Sequence, residues 1–271
     1  MTSPNQPIEY LLVENNRSTP QAAEIITEAP VALTVNGEVW LTFMCTPIDL
    51  EALAVGFLFN EGLIKSAAEV ETVRVCPARD NVDVWLNHAV ERPEKWRRTS
   101  GCTGGVTAVE ILDERQLPAA GLQNGLVISP AQVGDLIELL FESQDLYRQS
   151  GGVHTSALSD GQQLLAVGED IGRHNTLDKL AGRCLMENIQ APRRLLLTTG
   201  RISSEMMQKA ARLGAAVVIS RTSPSSLSIQ MAQQLGITLI GYARRNRFRI
   251  YTHPERIIIH ETKPQTETQT H

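Results

Sequence analysis

The sequence predicts an α/β protein in two unequal parts: a smaller N-terminal α+β domain over residues 1–125, and over residues 126–271 a larger domain of three layers around a mostly parallel sheet. Three observations lead there. Short apolar runs alternate with capped helices through the second half, the pattern of βαβ crossovers with both sheet faces covered. The first half reads instead as hairpin, helix and hairpin. The 271 residues are enough for one large domain or two ordinary ones.

Residues 1–20 and the last eleven are polar and aperiodic, so both ends are expected to fray. Residues 29–45 alternate as strand around Asn36-Gly37, the strongest dipeptide signal for a two-residue hairpin turn. Thr46-Pro47-Ile48-Asp49 then offers a cap, a proline at the first helical position and an acid at the third, ahead of an amphipathic run that ends at Gly62. A second hairpin spans 70–88. Breakers at Pro118, Gly121, Gly125 and Pro130 mark the passage between domains, placed near 125.

Beyond it, Val133, Leu136, Leu139, Leu140 and Phe141 recur at helical spacing before a stop at Gly151. Residues 154–160 and 162–170 read as strands about a turn at Asp160-Gly161, and 175–188 as a helix. Strands at 193–199, 215–220, 237–243 and 247–253 follow, with helices at 205–214 and 224–236 between the first three.

Composition bounds the function. A formal charge of −5 argues against a general nucleic-acid binder. No secretory leader and no run of eighteen apolar residues is present, so the chain is expected in the cytoplasm and off the membrane. Cys45, Cys76, Cys102 and Cys184 form no C-x-x-C pair, which disfavours a zinc site or a disulfide framework.

In an open α/β sheet ligands bind outside the carboxyl ends of the strands. Here those ends carry 199–204 (with Gly200, Arg201, Ser203 and Ser204), 220–226 (with Arg221, Ser223 and Ser225) and 243–247. From Thr199 to Arg249 one acid, Glu205, faces eight basic residues in a chain that is acidic overall. Serines at helix starts and arginines beside them make an anion cradle, although each alone also suits a plain cap or a solvated face. His154, Asp170, Arg173 and His174 fall in polar turns and are candidates to line the crevice or to serve as turn residues.

Cys102 stands among Gly101, Gly104 and Gly105 with Arg97 and Arg98 upstream, a bare thiol in a setting that favours the thiolate. Burial as a small hydrophobe is the alternative, and it suits Cys45, Cys76 and Cys184 better.

Segments 31–37, 49–57, 99–102, 151–154, 169–175 with Asp178 and Lys179, 203–206 and 251–254 resemble, in order and spacing, the FdhD/NarQ family of formate dehydrogenase accessory proteins. The likeness runs from about residue 25 to 256. It implies a sulfurtransferase that takes persulfide sulfur from a cysteine desulfurase and passes it to the molybdenum cofactor, as bis(molybdopterin guanine dinucleotide), for formate dehydrogenase. Cys102 matches the persulfide cysteine. Tyr242, Ala243, Arg244, Arg245, Asn246 and Arg247 match the cofactor-binding stretch, so a guanine nucleotide is the expected analogue. The resemblance further implies a cytidine-deaminase-like C-terminal core and a homodimer. The zinc deaminase signature is missing, because His154 is followed by Thr155-Ser156 and no Pro-Cys-x-x-Cys exists, so no zinc is expected. Gly105 stands where some members carry a second cysteine. A carrier that merely holds the cofactor, without chemistry, is the competing reading.

Overall fold

The computed structural model describes residues 3–94, 97–98, 106–107 and 126–259. Strands β1 (Asn5–Glu14) and β2 (Arg17–Ile26) pair antiparallel as a separate two-stranded ribbon. The expectation that residues 1–20 fray fails here. Asn15 and Asn16 both take positive φ, 48° and 62°, the geometry of the tight turn that matches strand twist.

β3 (Ala29–Val35) turns through Asn36-Gly37 into β4 (Glu38–Cys45), as the dipeptide predicts. With β5 (Val70–Val75) and β6 (Asn81–Leu86) they form a four-stranded sheet in the order β4-β3-β6-β5. Helix α1 (Leu50–Asn60) covers it, and its buried Leu50, Leu53, Phe57 and Leu58 join Val31, Leu33 and Val82 in one core. The sequence leads one to expect an amphipathic helix capped at Thr46. In fact α1 is buried nearly all round, it starts after Asp49, and Thr46 is used elsewhere. β7 (Arg97–Arg98) and β8 (Val106–Thr107) pair antiparallel, so the two ends of the segment holding Cys102 lie side by side. Cys102 itself is outside the described residues.

The second half contributes α2 (Pro130–Glu142), α3 (Asp145–Ser150), β9 (His154–Ser159), β10 (Leu164–Asp170), α4 (Arg173–Met186), β11 (Leu195–Thr198), α5 (Ser204–Arg212), β12 (Val217–Ser220), α6 (Ser226–Gln234), β13 (Thr238–Arg244) and β14 (Arg247–Ile250). Its sheet runs β10-β9-β11-β12-β13-β14. The expected parallel pairing holds for β11, β12 and β13, where helices supply the crossovers. β9, β10 and β14 are antiparallel, because the short turns at Asp160-Gly161 and Arg245-Asn246 leave no room for one, and the sheet is therefore mixed. α4, α5 and α6 cover one face and α2 the other, so alternate residues of a strand enter opposite cores: Leu196 and Val218 on one side, Leu195 and Val217 on the other.

The halves meet where α1 crosses α4. A Cβ on Gly56 would stand 1.8 Å from the Asp178 carbonyl oxygen, and one on Gly182 1.9 Å from that of Ala52, so the two backbones touch through missing side chains. Gly182→Ala should force the helices apart and cost about 1–3 kcal/mol, seen as a lower urea midpoint at unchanged slope. An unchanged midpoint would show that the crossing yields freely.

Candidate functional site at the strand ends

A buried polar cluster sets the site's floor. The Lys179 ammonium, fully buried, lies 2.7 Å from Asp170 Oδ2 and donates to the carbonyls of Thr46 and Glu169 at 3.0 Å. Asp170 also accepts from the Thr46 and Gly172 amides and from Asn175 Nδ2, which donates as well to the Met44 carbonyl. One carboxylate thus ties the end of β4 to the end of β10 and to the start of α4. Asp178, whose place on a helix allows a surface or an interlobe role, is buried and makes an interlobe contact: Lys209 grips both its oxygens at 2.6 Å and Asn60 of α1 donates at 2.8 Å.

Above this floor the loops after β11 and β12 are laced together. Ser156 Oγ donates to Thr198 Oγ1, which accepts from the Gly200 amide. Ser220 Oγ donates to the Gly200 carbonyl, and the Tyr242 amide to that of Thr222. Ser203 caps α5 and Ser225 caps α6, each accepting from a first-turn amide as their positions predict. The Ile202 and Ser225 amides bond across to Ser223 and Ile202, which draws the two helix starts together.

Two cavities flank these loops. One, of about 470 Å³, is lined by Phe141, Tyr147, His154, Thr199, Arg221 and Arg244 among others. The other, of about 400 Å³, is lined by Arg173, Arg201, Ser203, Glu205, Ser223 and Ser225 among others. Ile171, Thr199 and Thr222 face the first; Arg173, Arg201 and Ser223, one or two residues on, face the second. Each loop therefore serves both.

The charges are arranged for an anion. Arg221 lies over the Phe141 ring at 4.4 Å and donates to the Ala243 carbonyl; Arg244 donates to the Arg221 and Ala243 carbonyls at 2.9 and 2.8 Å. Among the described residues neither enters an ion pair. Desolvation, and then the neighbouring Arg244, push the Arg221 guanidinium below its ordinary value, as expected of two cations set together without a counter-charge. His154 Nδ1 is 3.3 Å from Thr199 Oγ1. Burial and then Arg173 hold its pKa below the usual histidine value, against the pull of Asp170.

The sequence-derived residues divide. Arg244 lines the first cavity, Arg201 and Ser223 the second. Gly200 is buried between them, and a Cβ there would meet Arg173 Cβ at 3.0 Å, so its bareness lets the Arg173 side chain pass. Arg245 turns away to Glu138 at 2.9 Å, and Arg249 stacks on Tyr242 at 4.3 Å. Tyr242, Ala243, Asn246 and Arg247 lie on the β13–β14 hairpin and line neither cavity. His174 is buried behind Arg173, its Nε2 3.9 Å from Glu205. Sequence reasoning missed Phe141 and Tyr147. Phe141 was counted with the helical stripe, yet it falls off the buried face made by Val133, Leu136, Ile137 and Leu140, and that offset was the signal.

A profile of the FdhD/NarQ family matches residues 26–258. The sulfur carrier protein FdhD of Bacillus subtilis is 37% identical over 235 residues, covering 86% of this chain and 90% of its own. Its counterpart in Bacillus licheniformis is 37% identical over 246 residues, covering 90% and 94%. A crystal structure from Desulfotalea psychrophila, described as a formate dehydrogenase accessory protein, superposes with a TM-score of 0.76 at 28% identity, covering 94% of this chain and all of that one.

The buried imidazole gives a pH test. Desolvation, then the charges of Lys209, Arg173 and His154, keep the His174 pKa well below 6.5. The unfolded chain therefore binds a proton that the folded one refuses, so this contribution is complete above about pH 6.5 and is lost as pH falls, by up to about 1.4 kcal/mol per pH unit. Urea midpoints from about pH 7.5 to 5.5 should fall less steeply in His174→Gln than in the parent; parallel slopes would exclude His174 as the source.

Proposed function

The chain belongs to the FdhD/NarQ family, and on that premise we propose that it is a sulfur carrier for a formate dehydrogenase, working in the cytoplasm as a homodimer. The Cys102 thiolate attacks the sulfane sulfur of a cysteine desulfurase persulfide. A new sulfur–sulfur bond forms at Cys102, the old one breaks, and the desulfurase cysteine leaves as thiolate. The outer sulfur then passes to the molybdenum of bis(molybdopterin guanine dinucleotide), the substrate held at the strand ends: the sulfur–sulfur bond at Cys102 breaks, Cys102 leaves as thiolate, and the reduced metal of the substrate supplies the two electrons that take the sulfane sulfur to sulfide.

The observation that carries the binding half is the pair Arg221 and Arg244, side by side at the cavity rim with no carboxylate partner among the described residues. A phosphate is the counter-charge such a pair lacks. Phe141 and Tyr147 offer aromatic surface for a heterocycle in the same cavity. The serine hydroxyls and helix starts of the second cavity, with Arg173 and Arg201, suit the remaining phosphates. Within this reading the His154 imidazole, neutral near pH 7, is a hydrogen-bonding group rather than a further cation.

Two outcomes are expected. Incubation with a desulfurase and cysteine should add about 32 Da, one sulfur atom, to the intact protein and nothing to Cys102→Ala. A Cys102→Ala protein that still supports formate dehydrogenase maturation would end the sulfur-carrier reading and leave the passive cofactor holder. Separately, Arg221→Glu or Arg244→Glu should weaken guanosine diphosphate binding by roughly tenfold or more each, with a shallower salt dependence than the parent. Affinity unchanged in both would remove the nucleotide from this cavity.

A further inference from the structure

The second cavity holds more than phosphates need. Beside Arg173 and Arg201 stands Glu205, the one acid between Thr199 and Arg249, and the wall also takes in Ile202, Pro224 and the exposed Leu227. An acid in the first turn of α5 suits the helix dipole whichever way its carboxylate turns. A carboxylate on the wall of an anion cradle is different, because it repels the phosphates that the arginines and helix starts attract. Acid and apolar wall together fit a flat heterocycle with hydrogen-bond donors on its edge.

The side chain behind Glu205 supports the same occupant. His174 is only 5% exposed, and its Nε2 has no hydrogen-bond partner among the described residues. That nitrogen stands 3.9 Å from Glu205 Oε2, about 1 Å short of a hydrogen bond. Burial, and then the nearby cations, keep the imidazole neutral near pH 7, so it can donate to the carboxylate without cancelling its charge. A small turn of Glu205 satisfies the buried nitrogen and keeps the carboxylate on the cavity wall.

We propose that Glu205 selects the ligand by its 2-amino-4-oxopyrimidine edge, which guanine and pterin share. That edge sets a ring N–H beside an exocyclic amino group, two donors spaced for the two oxygens of one carboxylate. Adenine has a ring acceptor where guanine has the N–H, and xanthine and lumazine carry a second carbonyl in place of the amino group; each would turn a lone pair toward the carboxylate. Ile202, Pro224 and Leu227 take the ring face, and Arg173 and Arg201 the phosphate beyond it. The selection rests on the nucleotide reading above and adds a group that reads the heterocycle to the phosphate groups of the second cavity.

Equilibrium binding to the full chain tests this with two pairs of probes, guanosine against xanthosine diphosphate and pterin against lumazine, and with adenosine diphosphate as reference. The parent should prefer the amino member by roughly tenfold to a hundredfold, and the pair that shows the preference identifies the source of the edge. Glu205→Gln offers one acceptor and one donor, so it should lose affinity for the amino member by a similar factor and bind the dioxo member better than the parent does. A fold defect cannot invert a preference. Equal affinities within both pairs, or a Glu205→Gln protein that weakens both members alike or keeps the parental order, would overturn the assignment. A parent that binds guanosine and adenosine diphosphates alike, with no preference between pterin and lumazine, removes this selection and leaves the nucleotide reading standing; a parent that binds none of the five removes both.

Discussion

The Lys179–Asp170 pair is the constraint from which the site's geometry follows. Both side chains are fully buried, and a lone charge in that position would cost several kcal/mol. The protein avoids that cost by surrounding the pair with donors and acceptors: the Thr46 amide and carbonyl, the Glu169 carbonyl, the Gly172 amide and Asn175. Those partners stand just past the end of β4, at the end of β10 and around the start of α4. Satisfying one charge pair therefore fixes how the four-stranded sheet, the six-stranded sheet and the helix between them meet. It also fixes the turn through Gly172, from which Arg173 enters the second cavity. Glycine contact between α1 and α4 completes the junction, since a polar network this tight leaves no slack for a wider helix crossing.

How much of this was legible depended on whether the signal was local. Asn36-Gly37, Ser203 and Ser225 act within four residues of themselves, and each does what its type predicts. The three strand-end loops were legible too, because parallel strands must deliver their carboxyl ends to one edge. What failed was set at a distance. Thr46 looks like a cap from its neighbours, but its hydroxyl accepts from Ile171, 125 positions away. The hydrophobic spacing of α1 suggests one dry face, and only the arrival of α4 buries the other. Asn15-Asn16 makes a tight turn without the usual glycine, so the apolar run over residues 10–13 beside it does not announce a hairpin and the ribbon reads as a tail. Asp178 and Lys179 read as helix-surface or interlobe contacts and do reach across to Asn60 and Thr46, but nothing near them in sequence discloses their charge partners Lys209 and Asp170.

The acidic chain and the basic crevice do not conflict. At physiological salt, exposed charges more than about 8 Å apart are largely screened, so the net −5 has little bearing on what a ligand meets at the strand ends. What matters there is the local set, and Arg221 and Arg244 are held by backbone carbonyls rather than by carboxylates. A carbonyl fixes a guanidinium's direction without neutralising it. The positive charge stays available, already oriented, and desolvated enough to be felt.

Burial of Cys45 and Cys184 bears on how sulfur would leave such a carrier. With Gly105 in place of a second cysteine, release through an internal disulfide needs another thiolate from this chain. Burial pushes the Cys45 thiol up to about 12 and the Cys184 thiol to about 11. Near neutral pH each is then a thiolate in on the order of one molecule in 10⁴ to 10⁵, and the thiolate is the attacking form. Cys76 Sγ donates a hydrogen bond to Asp80 Oδ1 at 2.9 Å across the turn of the second hairpin. In the proposed reading, a persulfide on Cys102 would therefore find no ready nucleophile in Cys45 or Cys184. On the proposed mechanism it would persist until the cofactor or an outside thiol took the sulfur, and that inertness would let a single cysteine serve as a carrier rather than as half of a disulfide switch.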